Sequence, residues 1–185
     1  MAQEGRDVIE ILTHDHREVE DMFGKLTEAA DPGERRRIAD DITIELVRHS
    51  VAEEQYLYPA VREHVPGGDA IADRELSDHA EVEKLLKELE QADLGSGDFA
   101  ALTGQLIRTV NAHVQDEEHA LFPALAGHVS PADLRRLGEQ VQMAKDRAPT
   151  RPHPAAPDRP PLNKLLAPGA GLVDRIRDHL SGRGQ

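Results

Sequence analysis

The chain has 185 residues, a net charge of −13 and no cysteine. Such an acidic chain lacks the basic surface that nucleic-acid binding needs, so we expect no nucleic-acid partner. The absence of cysteine excludes disulfides, zinc–thiolate sites, iron–sulfur clusters and thiol catalysis, and any bound metal must be held by nitrogen and oxygen donors.

Apolar residues at helical spacing predict a first helix over residues 7–29. A second helix is predicted over residues 34–64, in which Pro59 removes one hydrogen bond and kinks the helix or tightens a turn. Each helix has an inward stripe spaced as in helix bundles, and both stripes contain histidine. The stripes are Ile9, Leu12, His16, Val19, Phe23 and Leu26 in the first helix, and Ile42, Leu46, His49, Glu53, Tyr56 and Ala60 in the second.

The second half of the chain repeats the first. A third helix is predicted over residues 69–92, and a fourth from Asp98, its expected N-cap, to residue 126. The inward stripes are Ala72, His79, Val82, Leu86 and Leu89, and then Leu106, Val110, His113, Glu117, Ala120 and Ala124. An offset of 63 or 64 residues aligns them with the first two helices. We therefore predict an all-α fold, an up-down four-helix bundle of two αα-hairpin repeats.

A short helix is predicted after the bundle, beginning at Ser130 and Pro131 and ending near residue 147. The following residues are rich in proline, which predicts extended or irregular chain. We divide the sequence into residues 1–147, the bundle with its short following helix, and residues 148–185, an extension. We expect the extension to contain a short terminal helix and to pack on the bundle.

Two copies of a His-x-x-x-Glu-Glu motif stand 64 residues apart, at His49 and at His113. A histidine and a glutamate four residues apart lie on the same face of a helix, where both can bind one metal ion. Burial of the two glutamates without partners would cost several kcal/mol each, so a compensating cation is expected. Four imidazoles and two carboxylates divide into two metal sites with bridging glutamates. The alternative is a buried His–Glu hydrogen-bond network without metal.

These motifs resemble those of the hemerythrin-like, or HHE cation-binding, proteins. The resemblance covers about residues 7–127 and is carried by Asp15-His16, His49-x-x-x-Glu53-Glu54, Asp78-His79 and His113-x-x-x-Glu117-Glu118. It implies a four-helix bundle with two iron ions in an oxo- or hydroxo-bridged centre, iron being favoured over manganese or zinc. The implied terminal ligands are His16, His49, His79 and His113, and the implied bridges are Glu53 and Glu117.

Two positions depart from the oxygen-carrying members of that family. Those proteins have a second histidine four residues after the one on the third helix, where this chain has Glu83. They also have an acidic ligand five residues after the last histidine, which corresponds to Glu118 here, beside the better-aimed Glu117. The set of five histidines is incomplete, which argues against reversible oxygen carriage. Glu83 and Glu118 remain candidate additional ligands.

Tyr56 is a further candidate because it lies on the stripe of His49 and Glu53, whereas Ala120 occupies the matching position in the second repeat. One interpretation is a core tyrosine whose hydroxyl finds a hydrogen bond. The functional interpretation is a catalytic role, in which its oxygen binds one iron or hydrogen-bonds a bound oxygen species. A phenolate ligand would stabilise the ferric state and take a position that O2 could use, which favours oxidising chemistry on peroxide or nitric oxide over oxygen carriage.

The main functional hypothesis is a redox-active di-iron protein that binds and processes a small oxidant, H2O2, NO or O2, during oxidative or nitrosative stress. An enzyme of this kind would be a peroxidase, a catalase-like oxidoreductase or a nitric oxide scavenger. The alternatives are an oxygen or iron sensor, an iron store and a purely structural metal site. No apolar run approaches the roughly 20 residues of a membrane-spanning helix, so we expect no membrane partner. A cytoplasmic monomer or weak homo-oligomer is predicted.

Overall fold

The computed structural model describes residues 6–153 and, beyond them, residues 163, 168, 170–174, 177 and 178. The described chain is helical and contains no β-strand. Its helices are α1 (Val8–Glu28), α2 (Pro32–Ala52), α3 (Tyr58–His64), α4 (Gly68–Gln91), α5 (Gly97–Asp116), α6 (Phe122–His128) and α7 (Pro131–Arg147). In this part of the chain, no helix is both long and apolar enough to cross a membrane.

Two of the connections between these helices are π-helical turns. Glu53–Leu57 joins α2 to α3, and Glu117–Leu121 joins α5 to α6. The backbone N–H of Tyr58 donates to the carbonyl of Glu53, and that of Phe122 donates to the carbonyl of Glu117. Each hydrogen bond spans five residues instead of four, so each turn holds one extra residue. The chain passes through both turns without a break, and α2–α3 and α5–α6 are two continuous rods.

The two rods pack with α1 and α4 in a four-helix bundle, and this confirms the fold predicted from the sequence. Each half is an αα-hairpin, α1 against α2 and α4 against α5, as the repeat predicted. The ends of the helices also follow local capping signals. Asp31 and Ser130 cap α2 and α7 with their side chains. The predicted cap of the fourth helix was wrong, because Ser96 accepts the Phe99 N–H and the helix begins before Asp98.

A polar layer lies between two apolar clusters of the bundle. One cluster surrounds the π turns and α7, with buried members that include Leu12, Leu57, Leu76, Leu125 and Val141. The other fills the opposite end, where Phe23, Ile42, Leu86, Phe99 and Leu106 are buried. Both clusters exclude water from the layer between them, which therefore has a low dielectric constant and strong electrostatic interactions.

Helix α7 lies outside the bundle and packs along α1 and α2. Its Gly138 makes the close approach possible, because a Cβ atom there would lie 2.7 Å from the Arg6 carbonyl oxygen and 3.0 Å from the Val8 nitrogen. Its inner face buries Leu134, Val141 and Lys145. A lysine is an unusual member of such a face, because burial of its charge is costly unless it is paired.

The first described residues of the extension contact α4. The backbone N–H of His153 donates to Glu83 at 2.6 Å, and the guanidinium of Arg151 lies 3.4 Å from a Glu90 oxygen. The Thr150 N–H donates to Asp174, farther along the extension. Residues 170–174, 177 and 178, in and beside the predicted terminal helix, are helical, and its other residues lie outside the described part of the chain. The division at residue 147 and the packing of the whole extension stay predictions.

Substitution of Gly138 by alanine should loosen α7 from α1. Overpacking at a close backbone approach costs about 1–3 kcal/mol, so the free energy of unfolding should fall by that amount. Gly24→Ala is the matched control, because Gly24 lies exposed in α1 with no atom within 4 Å of its added Cβ. It should stabilise the protein by about 0.5–1 kcal/mol. Urea unfolding of both variants measures the difference, and equal effects would contradict the docking of α7.

Candidate metal centre

Four buried histidines form two pairs in the polar layer. His16 of α1 and His49 of α2 make the first pair, with ring centroids 5.0 Å apart. His79 of α4 and His113 of α5 make the second pair, at 4.9 Å. None of the four is more than 6% exposed. Each hairpin repeat therefore contributes one equivalent pair, as the repeated stripes predicted.

Two fully buried glutamates connect the pairs. Glu53 has one oxygen 3.1 Å from Nε2 of His49 and the other 3.2 Å from Nε2 of His79. Glu117 has an oxygen 3.3 Å from Nε2 of His16 and 3.6 Å from Nε2 of His113. Each carboxylate thus reaches one histidine of each pair. This is the position expected of a bridging ligand between two metal ions.

Several donor atoms of this cluster lack hydrogen-bond partners within the described part of the protein and are available to bind metal ions. Nε2 of His16, Oε1 of Glu53 and Oε2 of Glu117 are buried and have no hydrogen-bond partner among the described residues, although they lie close together. Buried polar atoms are normally paired. With His49 they form a group of four donors within 4.8 Å of one another, and Glu53, His79 and His113 form a second group. Imidazole and carboxylate donors suit iron, manganese or zinc.

An outer carboxylate lies close to the remaining ring nitrogen of every histidine, and for His16, His49 and His79 the two atoms form a hydrogen bond. The four distances from Nδ1 to the carboxylate oxygen are 2.9 Å for His16–Glu118, 3.2 Å for His49–Asp15, 3.1 Å for His79–Glu54 and 3.1 Å for His113–Glu75. Such partners orient a ligand histidine, fix its tautomer and raise its basicity. All four Nε2 atoms consequently face the centre.

Glu75 was not among the residues predicted from the sequence. Asp78 is the repeat counterpart of Asp15, but Asp78 is only half-buried and burial raises the pKa of its carboxyl group. Glu75 lies about one helical turn before Asp78, on the same face of α4, and its longer side chain reaches His113. The sequence feature that could have identified Glu75 is its position three residues before the Asp78-His79 motif.

The charges of the cluster favour protonated histidines in the metal-free protein. Burial opposes this, but Glu53 and Glu54 outweigh burial and raise the pKa of His79 to about 10. The pKa of His49 is likewise raised well above its usual value, against burial, by Glu53 and Asp15. Burial raises the pKa of Glu53, yet His49 and His79 lower it well below the usual value. The neighbouring carboxylates therefore favour the protonated forms of His49 and His79 when no metal is bound.

The tyrosine whose hydroxyl contacts the centre is Tyr58, whereas the sequence pattern predicted Tyr56 at this place. The Tyr58 hydroxyl lies 2.8 Å from Nε2 of His79, and 3.5 and 3.3 Å from oxygens of Glu53 and Glu117. Tyr56 is half-buried and lines a surface depression beside α7. The prediction assumed an unbroken α-helix, in which positions 49, 53 and 56 share one face. The extra residue in the π turn rotates the later positions, and Tyr58 faces the centre instead.

The same rotation occurs in the second repeat, where Ala120, predicted inward, is exposed and Phe122 is buried. Phe122 is the repeat counterpart of Tyr58. Its ring stacks on His16, with centroids 5.8 Å apart and an interplanar angle of 6°. The two pairs therefore differ, since the second has a phenolic hydroxyl and the first has an apolar ring.

Glu83 and Glu118, the other candidate ligands, lie outside the groups of donors found among the described residues. Glu118 accepts from Nδ1 of His16 and so supports a ligand instead of facing the centre. Glu83 accepts the backbone N–H of His153.

A narrow cavity of about 20 Å³ abuts all four histidines. That volume is room for roughly one water-sized molecule. Aliphatic side chains form the rest of its wall, with Ser50 and Asp15 at the edge. The aliphatic residues are Val19, Leu46, Val82, Val110 and Val114. The cavity offers a small, apolar approach to the donor atoms.

Comparison with known proteins gives the same picture. The sequence model of the hemerythrin HHE cation binding domain matches residues 7–126. The chain is 25% identical, over 92% of its length and 85% of the relative's, to an uncharacterized hemerythrin-like protein from Schizosaccharomyces pombe. A solved hemerythrin HHE cation binding domain-containing protein, from Mycobacterium kansasii, has the same fold, with a TM-score of 0.68 at 22% identity over 76% of this chain and 86% of that one.

A DNA nickase from Nostoc is 28% identical over 146 residues, which is 78% of this chain. The matched region spans only 41% of the length of that protein.

Removal of a bridging glutamate should affect both metal ions, whereas removal of one histidine should affect one. We expect Glu53→Ala to reduce metal at both positions and His79→Ala to remove about one ion per chain, because Glu53 reaches both pairs and His79 belongs to one. His14→Ala is the control, since His14 lies two residues from His16 with its side chain 53% exposed. Metal analysis of purified protein measures the stoichiometry. Loss of a single ion in both variants would contradict the bridging geometry.

Metal binding should release protons, because a metal ion binds only the neutral imidazole. The pKa of His79 is about 10 in the metal-free protein against 6.5 ordinarily, so its stabilising contribution is complete below pH 6.5 and is lost as pH rises through 10. The metal-free protein should therefore lose stability over this range, while apparent metal affinity increases. A pH indicator in weak buffer at pH 7.5 should record acidification on metal addition. An unchanged pH would contradict the protonated cluster.

Proposed function

The chain belongs to the hemerythrin HHE cation-binding domain family, and from that premise we propose that it binds two iron ions and redox-processes a small oxidant, H2O2, NO or O2. The observation that carries the proposal is the small, largely aliphatic cavity that abuts all four histidines. Iron supplies the change of oxidation state that such chemistry requires. The protein would act in oxidative or nitrosative stress.

The donor set supports iron in two positions. His16 and His49 would hold one ion, His79 and His113 would hold the other, and Glu53 and Glu117 would be shared between the two. The outer carboxylates keep the imidazoles oriented, and the apolar clusters exclude bulk water from the charged layer. The cavity beside this layer has a mostly aliphatic wall, which suits a small uncharged molecule. A charged substrate would lose its hydration there.

Tyr58 gives the second position a chemistry that the first lacks. Burial and the neighbouring carboxylates raise the pKa of its hydroxyl well above the usual value, so the metal-free protein holds a neutral phenol. If iron occupies the second position, the Tyr58 hydroxyl would serve as a phenolate ligand or as a hydrogen-bond donor towards the small oxidant. A phenolate ligand favours the ferric state, and a donor assists reduction of the oxidant by supplying a proton.

The direct test begins with metal content and visible absorption of the purified protein, followed by separate additions of O2, H2O2 and NO. Repeated consumption of H2O2 or NO would support the proposed processing. Stable binding without turnover would instead indicate the sensor or storage function. A zinc protein inert to all three reagents would overturn the redox proposal.

Tyr58→Phe should change the visible spectrum of the iron-loaded protein if its oxygen binds iron, because the phenolate-to-iron charge-transfer band would disappear. Should Tyr58 act as a hydrogen-bond donor, the spectrum of the resting protein would stay the same and the rate of peroxide consumption would fall by about 10²–10⁴-fold. Tyr56→Phe is the matched control. An unchanged spectrum and rate in Tyr58→Phe would remove Tyr58 from the mechanism.

A further inference from the structure

The lysine on the inner face of α7 connects this outer helix with the metal centre. The Lys145 ammonium lies 2.6 Å from Oδ2 of Asp15 and 2.6 Å from Oε1 of Glu45. Only 6% of Lys145 is exposed, and it is the one buried lysine or arginine in the described part of the chain. A buried ammonium held by two carboxylates is an interaction that salt screens weakly.

The same oxygen of Asp15 contacts a ligand of the first site. Oδ2 of Asp15 lies 3.2 Å from Nδ1 of His49, whose Nε2 faces Glu53. Lys145, Asp15 and His49 therefore form a continuous chain of contacts from α7, across α1, to the first histidine pair. Lys145 touches no donor atom of the centre, so any influence it has on the metal must pass through Asp15.

The other outer carboxylates have a different environment. Arg17 contacts Glu118, and Arg74 contacts Glu75, but both arginine side chains are about half exposed. Water and salt screen such exposed pairs, which contribute little to structure. Among these contacts, only the one with Asp15 comes from a buried cation on a helix outside the bundle.

We propose that Lys145 is a positioning residue that holds Asp15 against His49 and so sets the metal affinity of the first site independently of the second. The inference rests on the two-metal centre proposed above. It makes α7 a part of the metal centre as well as a cover for the bundle. It also predicts that the two metal ions are bound with different affinities.

Replacement of Lys145 by methionine keeps the apolar stem and removes the charge. Asp15 and Glu45 would then face each other without their shared cation, and their repulsion would turn Asp15 away from His49. Loss of the partner that orients a ligand histidine typically costs 10–100-fold in metal affinity. The effect should fall on the first site alone, because Lys145 has no contact with the second pair.

The experiment uses two full-length host proteins, each retaining one site. His79→Gln with His113→Gln leaves the first site, and His16→Gln with His49→Gln leaves the second. Co²⁺, used as a visible substitute for Fe²⁺, is titrated into each host with and without Lys145→Met. We expect about 10–100-fold weaker binding in the first host and less than about threefold change in the second.

Three controls separate positioning from docking of α7. Arg48→Met removes another contact with α7, since Arg48 donates to the Lys145 carbonyl at 3.0 Å, and it should leave Co²⁺ affinity unchanged. Lys145→Arg keeps the charge and should retain most of the affinity. In an Asp15→Asn background, Lys145→Met should have little further effect, because the proposed route is already broken.

Equal weakening in both hosts, or an Arg48→Met effect as large as that of Lys145→Met, would overturn the positioning role. If a host fails to fold by circular dichroism, removal of Co²⁺ by a chelator from the otherwise unaltered chain provides the measurement. Lys145→Met should then accelerate one of two kinetic phases, and acceleration of both or neither would overturn the inference. A wild-type chain that binds no metal would overturn the proposed function itself.

Discussion

The bundle depends on the burial of two carboxylates, Glu53 and Glu117, among four imidazoles. Neither glutamate is exposed to any measurable extent. Two uncompensated negative charges would be too costly in this layer, and the histidines or a metal must neutralise them. The outer carboxylates, the apolar clusters and the position of α7 all serve this layer. Buried polar interactions are therefore concentrated in the layer where we expect the metal chemistry to occur.

The π turns determine how the layer is completed. Each turn begins at a bridging glutamate, and its extra residue rotates the following helix. In the first repeat this brings the Tyr58 hydroxyl to His79, and in the second it stacks the Phe122 ring on His16. An unbroken α-helix would have faced Tyr56 and Ala120 inward in place of Tyr58 and Phe122. π turns are frequently found at functional sites for this reason, since they redirect side chains without ending a helix.

The two halves of the centre share their donors and differ in their surroundings. A hydroxyl stands beside the second pair and a buried ammonium supports the first through Asp15. Duplication explains the shared donors, whereas the differences lie at positions that the repeat does not constrain. Tyr58 and Phe122 differ by a single oxygen atom, and Lys145 comes from a helix that has no counterpart in the first repeat. A nearly symmetric scaffold thus surrounds its two histidine pairs with different side chains.

Periodicity and duplication were enough to predict the four-helix bundle, its two hairpins and the six inner residues of the centre. These features follow from local spacing, because a histidine and a glutamate four residues apart share a face in any α-helix. The choice of Tyr58 over Tyr56, and of Glu75 over Asp78, depended on the widened turns and on which side chain reaches across a helix interface. The contact of Lys145 with Asp15 joins residues 130 positions apart in sequence. No periodic pattern encodes such a contact, since it exists only when α7 is packed against the bundle.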